Sequence, residues 1–161
     1  MPTPADRPSF VYVIYIASTP EKVFAALTDA DMSERYWMGN RAVSEWTVGA
    51  PFRLELTSKP RSQDVLGRVL EVDPPRRLAY TFHSHHDGLE VEGPSRVTFE
   101  IEPQGDQVKL TVTHDEFPTA SRVHWHVSRG WPLVLSSLKS YLESGRVLRA
   151  PWYESAAEPR P

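Results

Sequence analysis

The segment Trp125–Gly145, WHVSRGWPLVLSSLKSYLESG, decides the fold. Its apolar side chains recur at steps of three and four residues, with serines and charged residues between them, which is the period of an α-helix with one buried face. The apolar positions are Val127, Trp131, Val134, Leu135, Leu138, Tyr141 and Leu142. A long helix with one apolar face needs a surface of similar length to cover it, and we expect that surface to be a β-sheet.

The ends of this helix carry their own signals. Gly145 predicts the C-terminus, because glycine readily adopts the left-handed conformation that pairs the last carbonyl groups of a helix. Thr119 is the candidate N-cap upstream. Pro132 lies inside the pattern and has no N–H to donate, so we expect either a kink near Gly130 or a restart of the helix at Trp131.

The residues before the helix predict an antiparallel sheet. Apolar and polar side chains alternate, as in strands with one buried face, between turns rich in proline, glycine and aspartate. Strands are expected at residues 10–16, 42–46, 52–56, 65–72, 78–83, 97–101 and 108–112, short helices at 20–27 and 32–37, and a long polar loop at 84–94. The fold class is therefore α+β: a curved sheet of six or seven strands around one long C-terminal helix, with two short helices after strand one.

Length and composition narrow the classes of function. The 161 residues fit one domain, which we place at 10–146 between flexible tails at 1–9 and 147–161. The 18 basic and 21 acidic residues give a net charge of −3 with no basic patch for nucleic acid. Without cysteine, signal peptide or spanning segment, we expect a cytoplasmic protein with no disulfide and no membrane span. No phosphate-binding or zinc-protease motif is present, so no cofactor is expected.

Several motifs occur in one order along the chain: STPEKVFAALTD followed by RYW, W-x-x-G-x-x-F at Trp46, Gly49 and Phe52, GRVLEVDPPRRLAYTF, SRVTFEIEP, LTVTHDEFP and GWPLVLSSLKSYLESG. From about Phe10 to Gly145 the chain resembles the heat-shock protein 90 ATPase activator-like family. That family belongs to the SRPBCC superfamily of START domains, birch-pollen-type allergens and polyketide cyclases. The resemblance implies a helix-grip fold with an apolar cavity for hydrophobic ligands. The eukaryotic activator uses a separate N-terminal domain to engage the chaperone, and 161 residues leave no room for it.

Nine residues are candidates for a ligand site between sheet and helix. Alternation places most of them on the inner face of the sheet, and the helical period brings the others opposite. They are Trp37, Phe52, Leu54, Tyr80, Phe82, Phe99, His114, Trp131 and Leu135. Two interpretations remain open: all of them fill an ordinary core, or Trp37, Tyr80, His114 and Trp131 line a cavity at its open end. Periodicity does not distinguish these, because both put the same residues inside.

Two groups could carry chemistry instead. His114 and Glu116 follow Val112 at steps of two, so on a continuing strand they would share the inner face and could act as general base and acid. Alternatively, His114 only makes a structural hydrogen bond. His83, His85, His86 and Asp87 have the residue types of a metal site, and on an extended chain His83 and His85 point the same way, so two imidazoles and a carboxylate could converge on one cation. The alternative is a polar loop that contains histidines.

Three functions are consistent with this sequence. The first is binding of a small hydrophobic or aromatic molecule, lipid-like or polyketide-like, without chemistry. The second is a cyclase- or hydrolase-type enzyme that uses His114 and Glu116. The third is a chaperone-associated stress-response module with a filled core, which acts through its outer surface. The sequence allows either a monomer or a homodimer.

Overall fold

A seven-stranded antiparallel sheet wraps around one long helix in the computed structural model, which describes residues 7–151. The elements are β1 (Phe10–Ile16), α1 (Pro20–Thr28), α2 (Ala30–Tyr36), β2 (Asn40–Ser44), β3 (Pro51–Leu56), β4 (Val65–Asp73), β5 (Arg77–Ser84), β6 (Ser95–Gln104), β7 (Gln107–Asp115) and α3 (Arg122–Ser144). The strands are ordered β1-β7-β6-β5-β4-β3-β2, so β1 and β2 form the two edges and α1 and α2 connect them. The α+β helix-grip architecture expected from the sequence is confirmed.

The two short helices begin at the residues that their capping chemistry favours. Thr19 Oγ1 accepts a hydrogen bond from the backbone N–H of Lys22, and Pro20 occupies the first helical position. Asp29 ends α1 and caps α2, where its carboxylate accepts from the N–H of Met32 at 2.9 Å. One aspartate therefore produces the sharp turn between the two helices.

The long helix α3 differs from the prediction in two respects. It runs without interruption through Pro132, so the predicted restart at Trp131 is wrong. Proline removes only one hydrogen bond, and the apolar face buried on both sides of it holds the helix together. The N-cap is Ser121 rather than Thr119, and Ser121 Oγ accepts from the N–H of His124 at 3.0 Å. Gly145 ends the helix in the left-handed conformation, as predicted.

Two segments expected to be irregular pack against the domain. Residues 84–94 contain short 3-10 turns, and Leu89 within them is buried. The chain after α3 turns back along the helix: the N–H of Leu148 donates to Ser137 Oγ at 3.0 Å, and Ala150 is buried. The predicted tail boundary at residue 147 is therefore too early, and residues 1–6 and 152–161 lie outside the described range. Within that range, no helix is long and apolar enough to cross a membrane.

Candidate functional site

The structure brings the nine predicted ligand-site residues together between the sheet and α3. All nine are buried: Trp37, Phe52, Leu54, Tyr80, Phe82, Phe99, His114, Trp131 and Leu135. Six of them lie on strands, Trp37 follows α2, and Trp131 and Leu135 come from α3. The predicted location of these residues in the space between the sheet and α3, which we call the grip, is thus observed. Their use in binding a ligand stays a prediction.

Aromatic side chains occupy the space where the family resemblance implies a cavity. The rings of Phe52 and Tyr80 stack at 3.9 Å between centroids, and Tyr80 is followed by Phe99 at 5.8 Å. Trp131 lies 5.9 Å from Phe99 and 5.4 Å from Trp37. These separations are those of aromatic rings in direct contact. The aromatic chain therefore reaches from the sheet across to α3 and α2 and fills the grip.

Two concavities, of about 390 and 230 Å³, lie instead on the outer face of the sheet. They are lined mainly by polar and charged side chains: Asp73, Arg76, Arg77, Arg96, Thr98, Glu100, Ile101, Glu102, Pro103, Thr113, Asp115 and Glu116. None of the nine predicted ligand-site residues borders either of them. Both surfaces differ from the apolar pocket that usually holds a hydrophobic ligand.

His114 lies at the centre of a buried chain of hydrogen bonds. Trp131 Nε1–H donates to His114 Nδ1 at 3.1 Å. Because the indole nitrogen can only donate, Nδ1 must be the acceptor, and the proton of the neutral imidazole sits on Nε2. Nε2–H then donates to Ser95 Oγ at 2.7 Å, and the Ser95 hydroxyl donates to the carbonyl oxygen of Phe82 at 3.1 Å. The chain links α3 to three strands and satisfies both nitrogens of the ring.

This environment keeps the imidazole uncharged and occupied. Burial, together with the nearby charge of His124, lowers the pKa of His114 to about 3. Neither nitrogen has a free lone pair to accept a proton from a substrate, since Nδ1 already accepts from Trp131. The structural alternative for His114 therefore fits the geometry, and the general-base alternative does not.

The predicted partnership of His114 with Glu116 is wrong. The strand β7 ends at Asp115, and Glu116 takes a positive φ of 62° that turns its side chain to the solvent. Phe117 occupies the buried position that alternation assigns to Glu116, and its ring lies 4.5 Å from the His114 ring. The alternation fails here because the strand stops one residue earlier than the pattern requires.

Ser95 is the member of the His114 chain that sequence reasoning missed. It shares the inner face of β6 with Val97 and Phe99, and Val97 pairs directly with His114 on β7. A serine at an inward position was the available signal, because a buried hydroxyl needs a partner. Identifying that partner requires the register between β6 and β7, which the sequence does not specify.

The histidine cluster forms only in part. The rings of His83 and His85 lie 4.4 Å apart between centroids. Asp87 does not join them, since its carboxylate contacts His86 Nε2 at 2.9 Å. Within residues 7–151 no group of three or more histidine, cysteine or acidic side chains is arranged to hold a metal ion. The predicted convergence of two imidazoles with Asp87 is therefore wrong.

The outer face of the edge strand β1 is unusually apolar for an exposed surface. Val11, Val13 and Tyr15 alternate along it with 58%, 45% and 45% of their surface exposed. The neighbouring strand β7 contributes the side chains in register with them, Thr113, Thr111 and Lys109. We call Val11, Val13 and Tyr15 the β1 stripe.

The curved sheet around one long helix is a helix-grip fold, and the protein is a member of the SRPBCC superfamily. Within that class, the chain belongs to the family described as activator of Hsp90 ATPase homolog 1-like protein, whose model matches residues 17–143. A comparison with curated proteins gave no match.

Solved structures with the same fold include proteins of different description. The solution structure of the Aha1 dimer from Colwellia psychrerythraea is 21% identical with a TM-score of 0.70, covering 86% of this chain and 98% of that one. The crystal structure of an HSP90 activator from Plasmodium falciparum is 26% identical with a TM-score of 0.69, covering 83% and 95%. CalU16 from Micromonospora echinospora is 22% identical with a TM-score of 0.68, covering 86% and 78%. At 21% and 22% identity, the Aha1 dimer and CalU16 show that this chain shares their fold and nothing more.

Proposed function

We propose that this protein is a protein-binding module and that its partner is a chaperone of the Hsp90 class. The observation that carries the proposal is the filled grip: aromatic rings and the His114 hydrogen-bond chain occupy the space in which related functions would need a cavity. The family description and the P. falciparum activator support the choice of partner. The cytoplasmic location expected from the sequence is part of the proposal.

The β1 stripe is the surface that we assign to the partner. Exposed apolar side chains in a row are a common feature of protein interfaces. Side chains of α3 occupy backbone groups at both ends of β1. At its C-terminal end Lys139 Nζ donates to the carbonyl of Tyr15 at 2.7 Å, and Glu143 accepts from the N–H of Ala17 at 2.8 Å. At its N-terminal end His124 contacts the carbonyl of Ser9 at 3.1 Å. A partner therefore meets the side chains of β1 rather than adding a strand to it.

A matched pair of substitutions tests this surface. Val13→Asp places a carboxylate in the middle of the β1 stripe, whereas Val48→Asp makes the same change at a valine that is exposed elsewhere, in the turn before β3. Losing one buried valine contact costs about 1.5 to 3 kcal/mol, which corresponds to a roughly 10- to 150-fold weaker dissociation constant. Binding to the purified Hsp90 of the same host can be measured by biolayer interferometry, with and without ATP.

We expect Val13→Asp to weaken binding at least tenfold and Val48→Asp to leave it unchanged. Absence of binding by the wild-type protein would contradict the proposed partner. Equal binding by both variants would contradict the assignment of the β1 stripe while leaving the partner in place.

Binding of a small hydrophobic or aromatic molecule between α3 and the sheet is a second candidate, favoured by one observation. Tyr80 lies in the interior between the sheet and α3, and its hydroxyl makes no hydrogen bond to the described residues, whereas the neighbouring Tyr36 hydroxyl donates to the carbonyl of Ala26 at 2.8 Å. A ligand with an acceptor atom could therefore accept a hydrogen bond from the Tyr80 hydroxyl. Entry requires Trp37 or Trp131 to move, because their rings contact each other.

The dye 1-anilinonaphthalene-8-sulfonate can serve as the apolar aromatic probe for this candidate. Saturable binding at one dye per chain, weakened by Tyr80→Phe, would support a ligand site in the grip. Dye binding that Tyr80→Phe does not change would place the dye elsewhere and contradict the candidate.

A further inference from the structure

Two histidines at the end of β5 stand side by side on the surface. His83 is the last-but-one residue of β5 and His85 follows the strand, so their side chains point to the same side of the chain. Their ring centroids are 4.4 Å apart and their planes are inclined by 47°. Both side chains are partly exposed and are therefore accessible to a solute.

The backbone fixes which nitrogen of each ring carries the proton. His83 Nε2 lies 2.8 Å from the carbonyl oxygen of Glu90, and His85 Nδ1 lies 3.0 Å from the carbonyl oxygen of His83. A carbonyl oxygen only accepts hydrogen bonds, so each of these nitrogens must carry the hydrogen. In the neutral rings the lone pairs consequently sit on His83 Nδ1 and His85 Nε2, which have no hydrogen-bond partner among the described residues.

The two rings are held in the way that histidine ligands of a metal ion are usually held. Histidines that bind metals almost always donate their other N–H to a carbonyl or carboxylate, which fixes the tautomer and orients the ring. Both His83 and His85 already do so through backbone carbonyls. The 4.4 Å between the ring centroids is compatible with two nitrogens on one cation, because metal–nitrogen bonds are about 2.0–2.1 Å long.

We propose that His83 Nδ1 and His85 Nε2 bind one late first-row transition-metal ion, with water completing its coordination. Imidazole nitrogen suits Cu²⁺, Ni²⁺ and Zn²⁺, and Cu²⁺ binds most tightly in the general order of affinities. Mg²⁺ and Ca²⁺ prefer oxygen ligands and are excluded by the donor set. The site is separate from both the β1 stripe and the aromatic grip, so it does not depend on the proposed function.

The proposal can be tested by titrating Cu²⁺ into the full chain prepared without a polyhistidine tag. Isothermal titration calorimetry gives the stoichiometry and affinity, and electron paramagnetic resonance reports nitrogen coordination. We expect one ion per chain and a spectrum with two imidazole nitrogens. Loss of an outer partner alone weakens metal sites by roughly 10- to 100-fold, so loss of a ligand in His83→Asn or His85→Asn should weaken binding at least tenfold.

Two control variants separate this site from adventitious binding. His126→Asn removes an exposed histidine that contacts Trp125 on α3, and His86→Asn removes the histidine paired with Asp87. Both should retain the wild-type affinity and the two-nitrogen spectrum. Unchanged affinity in His83→Asn and His85→Asn, or a single-nitrogen spectrum in the wild type, would overturn the proposal. Circular dichroism on every variant establishes that the fold is retained.

Discussion

Mild acid should destabilise this protein through the single buried imidazole of His114. In the folded chain burial and the charge of His124 lower its pKa to about 3, whereas a histidine in the unfolded chain has a pKa of about 6.5. Between these values the unfolded state binds a proton that the folded state does not. The stabilisation is therefore fully present above the unfolded pKa and is lost progressively as the pH falls toward the folded one.

The size of the effect follows from the two pKa values. One proton bound only by the unfolded state lowers the free energy of unfolding by about 1.4 kcal/mol per pH unit. From about pH 7.5 to about pH 4.5, His114 alone should remove about 2.7 kcal/mol. Domains of this kind are stable by only about 5–15 kcal/mol, so the loss is measurable.

Chemical denaturation of the wild type and of His114→Asn at a series of pH values isolates this contribution. The variant is less stable at neutral pH, because the Trp131 N–H loses its acceptor. The difference between the two proteins should shrink by about 2.7 kcal/mol over the same pH range, since other groups titrate alike in both. His126→Asn, an exposed substitution, should change stability by less than about 0.5 kcal/mol at neutral pH.

A constant difference between the wild type and His114→Asn across the pH range would refute this reasoning. It would mean that His114 takes up its proton equally in the folded and unfolded chains. The indole hydrogen bond to Nδ1 would then not oppose protonation of the ring, although a protonated Nδ1 cannot accept it.

Three further pairs of measurements test the packing. Gly67→Ala should destabilise the fold by about 3 kcal/mol or more, because the new Cβ would lie 1.9 Å from a carbonyl oxygen of β5. The Cβ of Gly130→Ala on α3 meets nothing within 4 Å, so this variant should stabilise the fold by about 1 kcal/mol. Thermal denaturation measures both. Tyr80→Phe should leave stability unchanged, and Tyr36→Phe should lower it by about 1 kcal/mol as its hydrogen bond to α1 is lost. Glu92→Gln should lower stability by about 1 kcal/mol, because the carboxylate accepts from the first N–H groups of α3 and interacts with its dipole; addition of salt should reduce that difference.

Local chemistry made most of the fold predictable. Alternation identified the inward side chains of the strands, and the three-to-four period identified the face of α3 that carries Trp131 and Leu135. Thr19 and Gly145 marked helix ends because their side-chain or backbone properties act on adjacent residues. The helix restart predicted from Pro132 was wrong, because burial on both sides of the proline outweighs one missing hydrogen bond.

The site was less predictable because its properties depend on distances across the sheet. Whether Trp131 and Tyr80 line a cavity or fill a core depends on volume, which periodicity does not contain. The contact of His114 with Ser95 depends on strand register. Glu116 was placed inside by extending β7 one residue too far, and only its positive φ reveals the turn outward.

The filled grip is most directly tested by native mass spectrometry of the protein purified from its own host. Our account predicts the bare mass of the chain, because aromatic side chains and the His114 hydrogen-bond chain occupy the space between sheet and helix. A stoichiometric apolar adduct, released by organic solvent, would contradict it and would favour the ligand-binding candidate over the chaperone-binding module.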